Sequence, residues 1–157
     1  HDARGVDEAT AANALACFWA ALAIGRLLSA PLLACIGALA TWRLSLVAMV
    51  LVMLALPLVE GPITGVLGFI AAGLATASVF PLIVSLAGSH LRLPSAQAAA
   101  LATAALMTGV GVGSFAIGAL RDAVGFAALY RMGALYPLFA LALGSWLFRR
   151  TTSRSTP

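Results

Sequence analysis

The chain has 157 residues, of which 62% are hydrophobic and only 9% are charged, and its mean hydropathy is +1.06. A soluble domain keeps about a quarter of its residues charged to hold a surface in water, so this composition excludes an ordinary water-soluble fold and favours a protein embedded in a lipid bilayer. The net charge of +4 comes from nine arginines that are mostly scattered singly, and no basic stripe with interleaved aromatic residues predicts nucleic-acid binding.

Long apolar stretches separated by charged residues predict five membrane-spanning helices. Each crossing of a hydrocarbon core of about 30 Å takes about 20 helical residues, and a spanning backbone must be helical because lipid offers no hydrogen-bond partner. A membrane barrel would instead need segments of about ten residues with alternating polarity. The predicted fold class is therefore an all-α integral membrane bundle, with helices at 12–36, 44–60, 62–88, 96–120 and 125–148.

The arginines at the segment ends predict the orientation of this bundle. One side receives five arginines and the other receives three, and arginine is enriched on the cytoplasmic side of membrane proteins. We therefore expect an extracytoplasmic loop at 1–9, a membrane domain at 10–148 and a cytoplasmic tail at 149–157. This is the arrangement of a multi-pass protein of a cell membrane, of the bacterial inner-membrane type.

Arg26 is the single charge inside the first predicted helix. A charge at this depth costs about 3 kcal/mol and usually faces a cavity or a partner. Trp19 and Ser29 lie on the same helical face, seven and three residues away. Two interpretations remain open: a contact with a polar or anionic substrate beside an aromatic ring, or a structural pairing with helix carbonyls or with a part of the protein outside this chain.

The third predicted helix contains Pro81, which removes the hydrogen bond to the carbonyl of residue 77 and predicts a kink. Thr76 and Phe80 share one face beside this bend, whereas Ser78 lies on roughly the opposite face. An aromatic ring next to a hydroxyl suits a solute, so we predict that Thr76 and Phe80 line a translocation pathway. Ordinary packing around a fixed kink is the alternative.

The fourth predicted helix carries glycines spaced for close packing. Gly109 and Gly113 form a small-xxx-small pair, which lets two helix backbones approach closely. The pattern is not a nucleotide-binding fingerprint, because no strand precedes it. Met107, just before this pair, is a further candidate for the substrate pathway.

A turn is predicted between the fourth and fifth helices. Gly118 and Gly125 allow a tight connection, and Asp122 is placed to cap the helix that follows. These three residues are expected to have a structural role.

No constellation of catalytic or metal-binding residues is visible. Both histidines, His1 and His90, fall in predicted loops, so no serine inside a predicted helix has a histidine to activate it. No Cys, His and acid cluster has metal-ligand spacing. The sequence therefore predicts no enzyme, no metal and no cofactor.

The order of these features resembles the second half of a major facilitator superfamily permease. The stretch 18–28, with its Gly-Arg pair, is similar to the family's eighth helix. The stretch 73–85, with Phe-Pro, resembles its tenth helix, and 109–125, ending in Gly-x-x-x-Asp-x-x-Gly, is similar to its eleventh helix and outer loop. The family's Gly-x-x-x-Asp-Arg-x-Gly-Arg-Arg loop motif is degraded after the first helix, where Gly37 and Arg43 remain near its positions.

This resemblance implies a secondary active transporter with twelve helices in two six-helix halves around a central site, working by alternating access. The chain, which begins with His1 rather than Met, is then expected to be a fragment covering the eighth to twelfth helices. Its expected partners are the bilayer, a small-molecule substrate with a coupling proton or other ion, and the missing N-terminal half of the same protein. The alternative is a non-transporting five-helix scaffold or assembly subunit.

Overall fold

The computed structural model describes residues 7–91 and 93–152, and this part of the chain is helical without any strand. The predicted all-α fold is confirmed for these residues. Residues 1–6 of the predicted N-terminal loop and 153–157 of the predicted tail lie outside the described residues, as does Arg92. The helices are α1 Glu8–Ile36, α2 Ala38–Ala55 with a 3₁₀ turn at Leu56–Leu58, α3 Pro62–Thr76, α4 Val79–Leu91, α5 Ser95–Gly133 and α6 Leu135–Thr152.

Four helical stretches within the described residues are long and apolar enough to cross a membrane. The prediction of five separate membrane helices is therefore wrong in number. The difference arises at the C-terminal end, where the expected fourth and fifth helices belong to one apolar helical stretch. The four stretches are Glu8–Ile36, Ala38–Leu58, Pro62–Ser89 and Ser95–Trp146.

The last stretch is not one straight helix, because α5 consists of two helical segments that meet at a kink, and the predicted turn at 118–125 is reduced to one residue. Gly118 and Asp122 are inside α5, and the helix is interrupted only at Gly125, whose φ of 75° and ψ of 160° are not helical. Asp122 consequently caps no helix, and its carboxylate instead accepts a hydrogen bond of 3.1 Å from Nε of Arg121 on the exposed surface. This stretch can change direction at two points, the kink at Gly125 and the break at Ala134 between α5 and α6.

The first two helices are longer than predicted and are separated by a single residue. Asp7 caps α1, because its carboxylate accepts from the backbone N–H of Thr10 at 3.4 Å and also from the Thr10 hydroxyl. At the other end, Gly37 adopts φ 80°, a conformation that suits glycine, and its N–H bonds to the Leu33 carbonyl at 2.9 Å. The helix α2 then starts at Ala38, six residues before the predicted start, because one left-handed residue suffices for the reversal.

The predicted helix at 62–88 is divided into α3 and α4 by a break at Ala77–Ser78. Pro81 follows the break and has no N–H to donate to the carbonyl of Ala77. Helical hydrogen bonding resumes with the N–H of Leu82 bonded to the carbonyl of Ser78 at 3.1 Å. Both residues of the break are buried, with Ala77 only 1% exposed.

The helices α1 and α3 form the closest helix pair through two glycines. A Cβ atom built on Gly25 would lie 2.6 Å from the Cβ of Ala77, and one built on Gly73 would lie 3.0 Å from the Cβ of Ala21 and would also meet the Phe18 carbonyl. Because residue numbers rise together along the two helices, α1 and α3 run parallel. Only residues without a Cβ permit this separation of the backbones.

The helix α2 packs antiparallel to the end of the fourth stretch. Gly144 of α6 faces the indole of Trp42, and Gly133 at the end of α5 lies near the sulfur of Met53. A small apolar cluster joins α2 to α4 and consists of Trp42, Leu46, Leu82 and Leu86.

The outer surface of the described residues is largely apolar. Leu27, Ile63 and Phe115 are each more than 70% exposed, and Ala98 is the only buried residue that α5 contributes. Monomeric soluble proteins rarely expose apolar patches of this extent. The four apolar stretches and this surface are compatible with a membrane location.

Candidate functional site

Arg26 lies near the middle of α1, eighteen residues after Glu8 and ten before Ile36. At 1.5 Å per residue these separations correspond to about 27 Å and 15 Å along the helix. The side chain is exposed, and no ion pair or side-chain hydrogen bond of its guanidinium occurs among the described residues. The structure thus leaves a charged group unpaired within this part of the chain, well inside an apolar helix.

Trp19 lies two turns before Arg26 on the same flank of α1 and is 58% exposed. Its ring meets the ring of Phe18 edge to face, with centroids 5.4 Å apart and an interplanar angle of 81°. This contact leaves more than half of the Trp19 side chain exposed. Ser29, which was expected on the same face, donates its hydroxyl hydrogen to the carbonyl of Arg26 at 2.7 Å.

The backbone that carries Arg26 is fixed by the residue before it. Gly25 is buried against α3, with Ala77 and Leu74 as its nearest neighbours. Because α1 and α3 are in backbone contact here, the Cα of Arg26 has little freedom to shift relative to the α3–α4 break. Arg26 and that break are therefore neighbours, although the sequence separates them by about fifty residues.

Thr76 and Phe80 lie on opposite sides of the Ala77–Ser78 break, and both are half-buried. The prediction that they share one face assumes a continuous helix. The break interrupts that helix, so the assumption does not hold. The Thr76 hydroxyl donates to the carbonyl of Ala72 at 2.8 Å, so its hydrogen is occupied by its own helix while its oxygen lone pairs remain. Serine and threonine hydroxyls bonded in this way often accompany helix bends.

Met107 is on α5, which packs against α4 and α2 rather than against α1. Its side chain is 59% exposed. The structure therefore places Gly25, the neighbour of Arg26, against the break that Thr76 and Phe80 flank, and it places Met107 on a helix that does not pack closely against α1.

The two glycines expected to mediate packing on α5 are Gly109 and Gly113. A Cβ atom on either of them would meet nothing within 4 Å among the described residues, and the same is true of Gly118, which was expected in the turn. Pro81 is exposed on α4. Any close approach of another helix to Gly109 and Gly113 must involve residues beyond those described.

Two pairs of small residues at the same four-residue spacing, which sequence reasoning passed over, form the α1–α3 contact. They are Ala21 with Gly25 on α1, and Gly73 with Ala77 on α3. Small residues four apart let helix backbones approach closely, so the spacing was a readable signal. It was overlooked because alanine is abundant throughout the chain and because Gly109 and Gly113 carry the more conspicuous version of the pattern.

Charged groups are sparse around the candidate site. Within the described part of the chain, an ion pair joins Arg121 and Asp122 on exposed α5, and no group of three His, Cys, Asp or Glu residues there could hold a metal ion. Outside the apolar stretches, the hydrogen bond from the Thr10 side chain lowers the pKa of Asp7 below its usual value of 3.8.

The fold and this site define an all-helical protein with four apolar helical stretches of membrane-crossing length and an exposed arginine in the first of them. Comparison of the chain with protein-family models, with curated proteins and with solved structures finds no match in any of the three.

Proposed function

We propose that this chain is part of a membrane carrier that moves a small solute by alternating access. The observation that carries the proposal is the exposed guanidinium of Arg26 in the middle of α1, a helix whose other face is fixed against α3 through Gly25. A charge held at this depth is costly unless a cavity, a partner or a ligand compensates it. A solute pathway on the flank that carries Arg26 and Trp19 provides such compensation.

Membrane insertion of the four apolar stretches is the first element of this proposal. The exposed leucine, isoleucine and phenylalanine side chains would contact lipid tails, and the polar ends of the helices would lie near the headgroups. The distribution of arginine supports an extracytoplasmic N-terminus and a cytoplasmic C-terminus. The depth of Arg26 in the bilayer and the orientation of the two termini are both part of the proposal.

The second element is a conformational change around the site. The Ala77–Ser78 break lies against Gly25, next to Arg26, and carriers often build their sites at interrupted helices near the bilayer midplane. Resemblance to the major facilitator superfamily, through the Gly25-Arg26 pair and the Phe80-Pro81 pair, supports the same mechanism. The unoccupied surface of α5 is consistent with further helices completing the carrier.

Uptake by the full-length gene product that contains this chain, reconstituted in proteoliposomes and offered a panel of labelled sugars, organic anions and drugs, tests the proposal. We expect accumulation of at least one solute, and a loss of at least tenfold in the initial rate on Arg26→Ala. Arg121→Ala is the matched control, because it removes an exposed arginine on α5, and its rate should stay within twofold of the native rate.

Three results would count against the carrier. Uptake of no solute by a correctly inserted protein would favour the scaffold alternative. Unchanged uptake in Arg26→Ala would remove Arg26 from the site. An equal loss in both arginine variants would show a general effect of charge rather than a local one.

A further inference from the structure

We propose that the site on α1 takes an oxyanion, most simply a carboxylate attached to a small apolar or aromatic body. This inference rests on the proposed carrier function and specifies its substrate class. The guanidinium of Arg26 would hold the carboxylate, and the exposed indole of Trp19 would contact the apolar body.

The first argument is the position of the acidic residues. The nearest acid along α1 is Glu8, about 27 Å away. The parallel pairing of Ala21 with Gly73 places Glu60 level with Glu8, at the same distant end of the α1–α3 pair. Asp122 is on α5, which packs away from α1, and accepts a bond from Arg121. No described carboxylate is therefore placed to neutralise Arg26.

The second argument is the direction of the side chain. The Cα–Cβ bonds of a helix tilt towards its N-terminus, so the side chain of Arg26 leaves the backbone towards Trp19 and the middle of the span. The nearer end of α1, at Ile36, lies the other way. This geometry disfavours a guanidinium that reaches the nearer membrane surface and favours one that meets a ligand beside Trp19.

The third argument is chemical complementarity. A guanidinium presents parallel N–H donors that match the two oxygens of a carboxylate, and it remains charged under all physiological conditions. Trp19 contacts Phe18 edge to face, with centroids 5.4 Å apart, and is still 58% exposed, so much of its surface is available to a flat apolar group. The helix α1 itself fixes the spacing between these two contacts, which are seven residues or about 10 Å apart along its axis.

Binding of matched fluorinated probes tests the inference. The full chain in nanodiscs is titrated with 4-fluorobenzoate and with the neutral 4-fluorobenzamide, and ¹⁹F line broadening is measured against empty nanodiscs. We expect at least a tenfold tighter dissociation constant for the carboxylate. Arg26→Gln should abolish this preference, whereas Arg121→Gln should retain it.

Two further measurements test competition by lipid headgroups and the case in which a variant does not fold. The titration is repeated in nanodiscs of phosphatidylcholine alone and of phosphatidylcholine with phosphatidylglycerol, and a preference that persists in both supports a free solute. If Arg26→Gln fails to insert, Arg26→Lys serves instead. It should lose at least threefold of the preference, because an ammonium cannot make the paired hydrogen bonds of a guanidinium.

The inference is overturned if the native protein shows no preference, if the preference survives in Arg26→Gln, or if it is unchanged in Arg26→Lys where that variant is needed. If phosphatidylglycerol suppresses the preference for the carboxylate, Arg26 binds a lipid headgroup, and the proposal of a free solute is overturned. No preference combined with uptake of neutral solutes would overturn this inference alone. A clear preference without uptake of any solute would instead overturn the carrier function.

Discussion

Gly25 of α1 lies against Ala77 at the α3–α4 break so closely that a methyl group on Gly25 would come within 2.6 Å of the Cβ of Ala77. This contact links the helix that carries Arg26 to the one interruption of the third apolar stretch. The opposing atom is the Cβ of an alanine, which has no rotamer to change, so the contact depends on the absence of a side chain at position 25.

Replacing Gly25 with alanine should destabilise the protein by about 1–3 kcal/mol, the usual cost of adding atoms to a packed contact. The new methyl group would force α1 and α3 apart at Ala77. Unfolding of the reconstituted protein, followed by tryptophan fluorescence during denaturant titration, measures the change.

Gly109→Ala is the matched control, because a Cβ there meets nothing within 4 Å among the described residues. Alanine favours a helix over glycine by about 1 kcal/mol, so this variant should be neutral or slightly more stable. Equal stability of the two variants would show that the α1–α3 contact is looser than the structure describes.

Pro81→Ala should straighten the third apolar stretch. Alanine restores an N–H that can bond to the carbonyl of Ala77, and this is the bond that proline cannot make. Spin labels at the exposed positions Leu67 and Ser85, measured by pulsed electron paramagnetic resonance, report the bend. Their backbone separation should rise towards the value of about 27 Å for eighteen residues of straight helix.

This measurement needs cysteine-free protein, so Cys17 and Cys35 are first replaced by serine. Pro31→Ala provides the control, because Pro31 lies inside α1, which continues through it without a break. A distance that does not change in Pro81→Ala would mean that packing at Ser78, rather than the missing N–H, maintains the interruption.

A disulfide should form between cysteines introduced at Met53 and Gly133. The sulfur of Met53 lies 3.7 Å from where a Cβ on Gly133 would be, because the end of α5 returns alongside α2. Mild oxidation in the cysteine-free background, followed by a mobility shift on denaturing gels, detects the bond.

The control pair combines Met53→Cys with Gly111→Cys, since position 111 has no neighbour within 4 Å among the described residues. Two results would argue against the antiparallel packing of α2 with the region from Gly133 to Gly144. One is crosslinking of the control pair to the same extent as the first pair, and the other is the absence of a disulfide in the first pair.

The N-terminal turn of α1 should lose stability in acid. The hydrogen bond from Thr10 lowers the pKa of Asp7 in the folded state below 3.8, so the ionised carboxylate stabilises the turn above the unfolded-state pKa. That contribution is lost as pH falls through the folded-state pKa. Hydrogen exchange at the Thr10 amide should therefore quicken, relative to its intrinsic rate, as pH drops below about 4.

Thr10→Val should raise the pKa of Asp7 towards its usual value, because it removes the hydroxyl donor and leaves the backbone donor. Thr64→Val is the control, since the Thr64 hydroxyl donates to the carbonyl of Glu60 at the start of another helix. An Asp7 pKa that is the same in Thr10→Val and in the native protein would contradict this account of the cap.

Several features of the candidate site were accessible from sequence because they depend on local chemistry. Arg26 can be recognised because it is a single charge in an apolar helix. Pro81 predicts an irregularity in its helix whatever that helix packs against. The relation of Arg26 to Ala77 was not accessible, because it depends on the register between α1 and α3. The conformation of residues 118–125 was not accessible either, because glycine and aspartate permit a turn but do not require one.

The sequence by itself determined that the chain is helical and apolar, because a run of residues without charge has one way to satisfy its backbone away from water. Only the tertiary structure decided which helices meet. The pairing of α1 with α3 follows from the fit of Gly25 and Gly73 against opposing backbone, a property of two surfaces rather than of either sequence stretch. The same holds for the four apolar stretches in place of five, since a single non-helical residue at Gly125 replaces the loop that composition alone predicts.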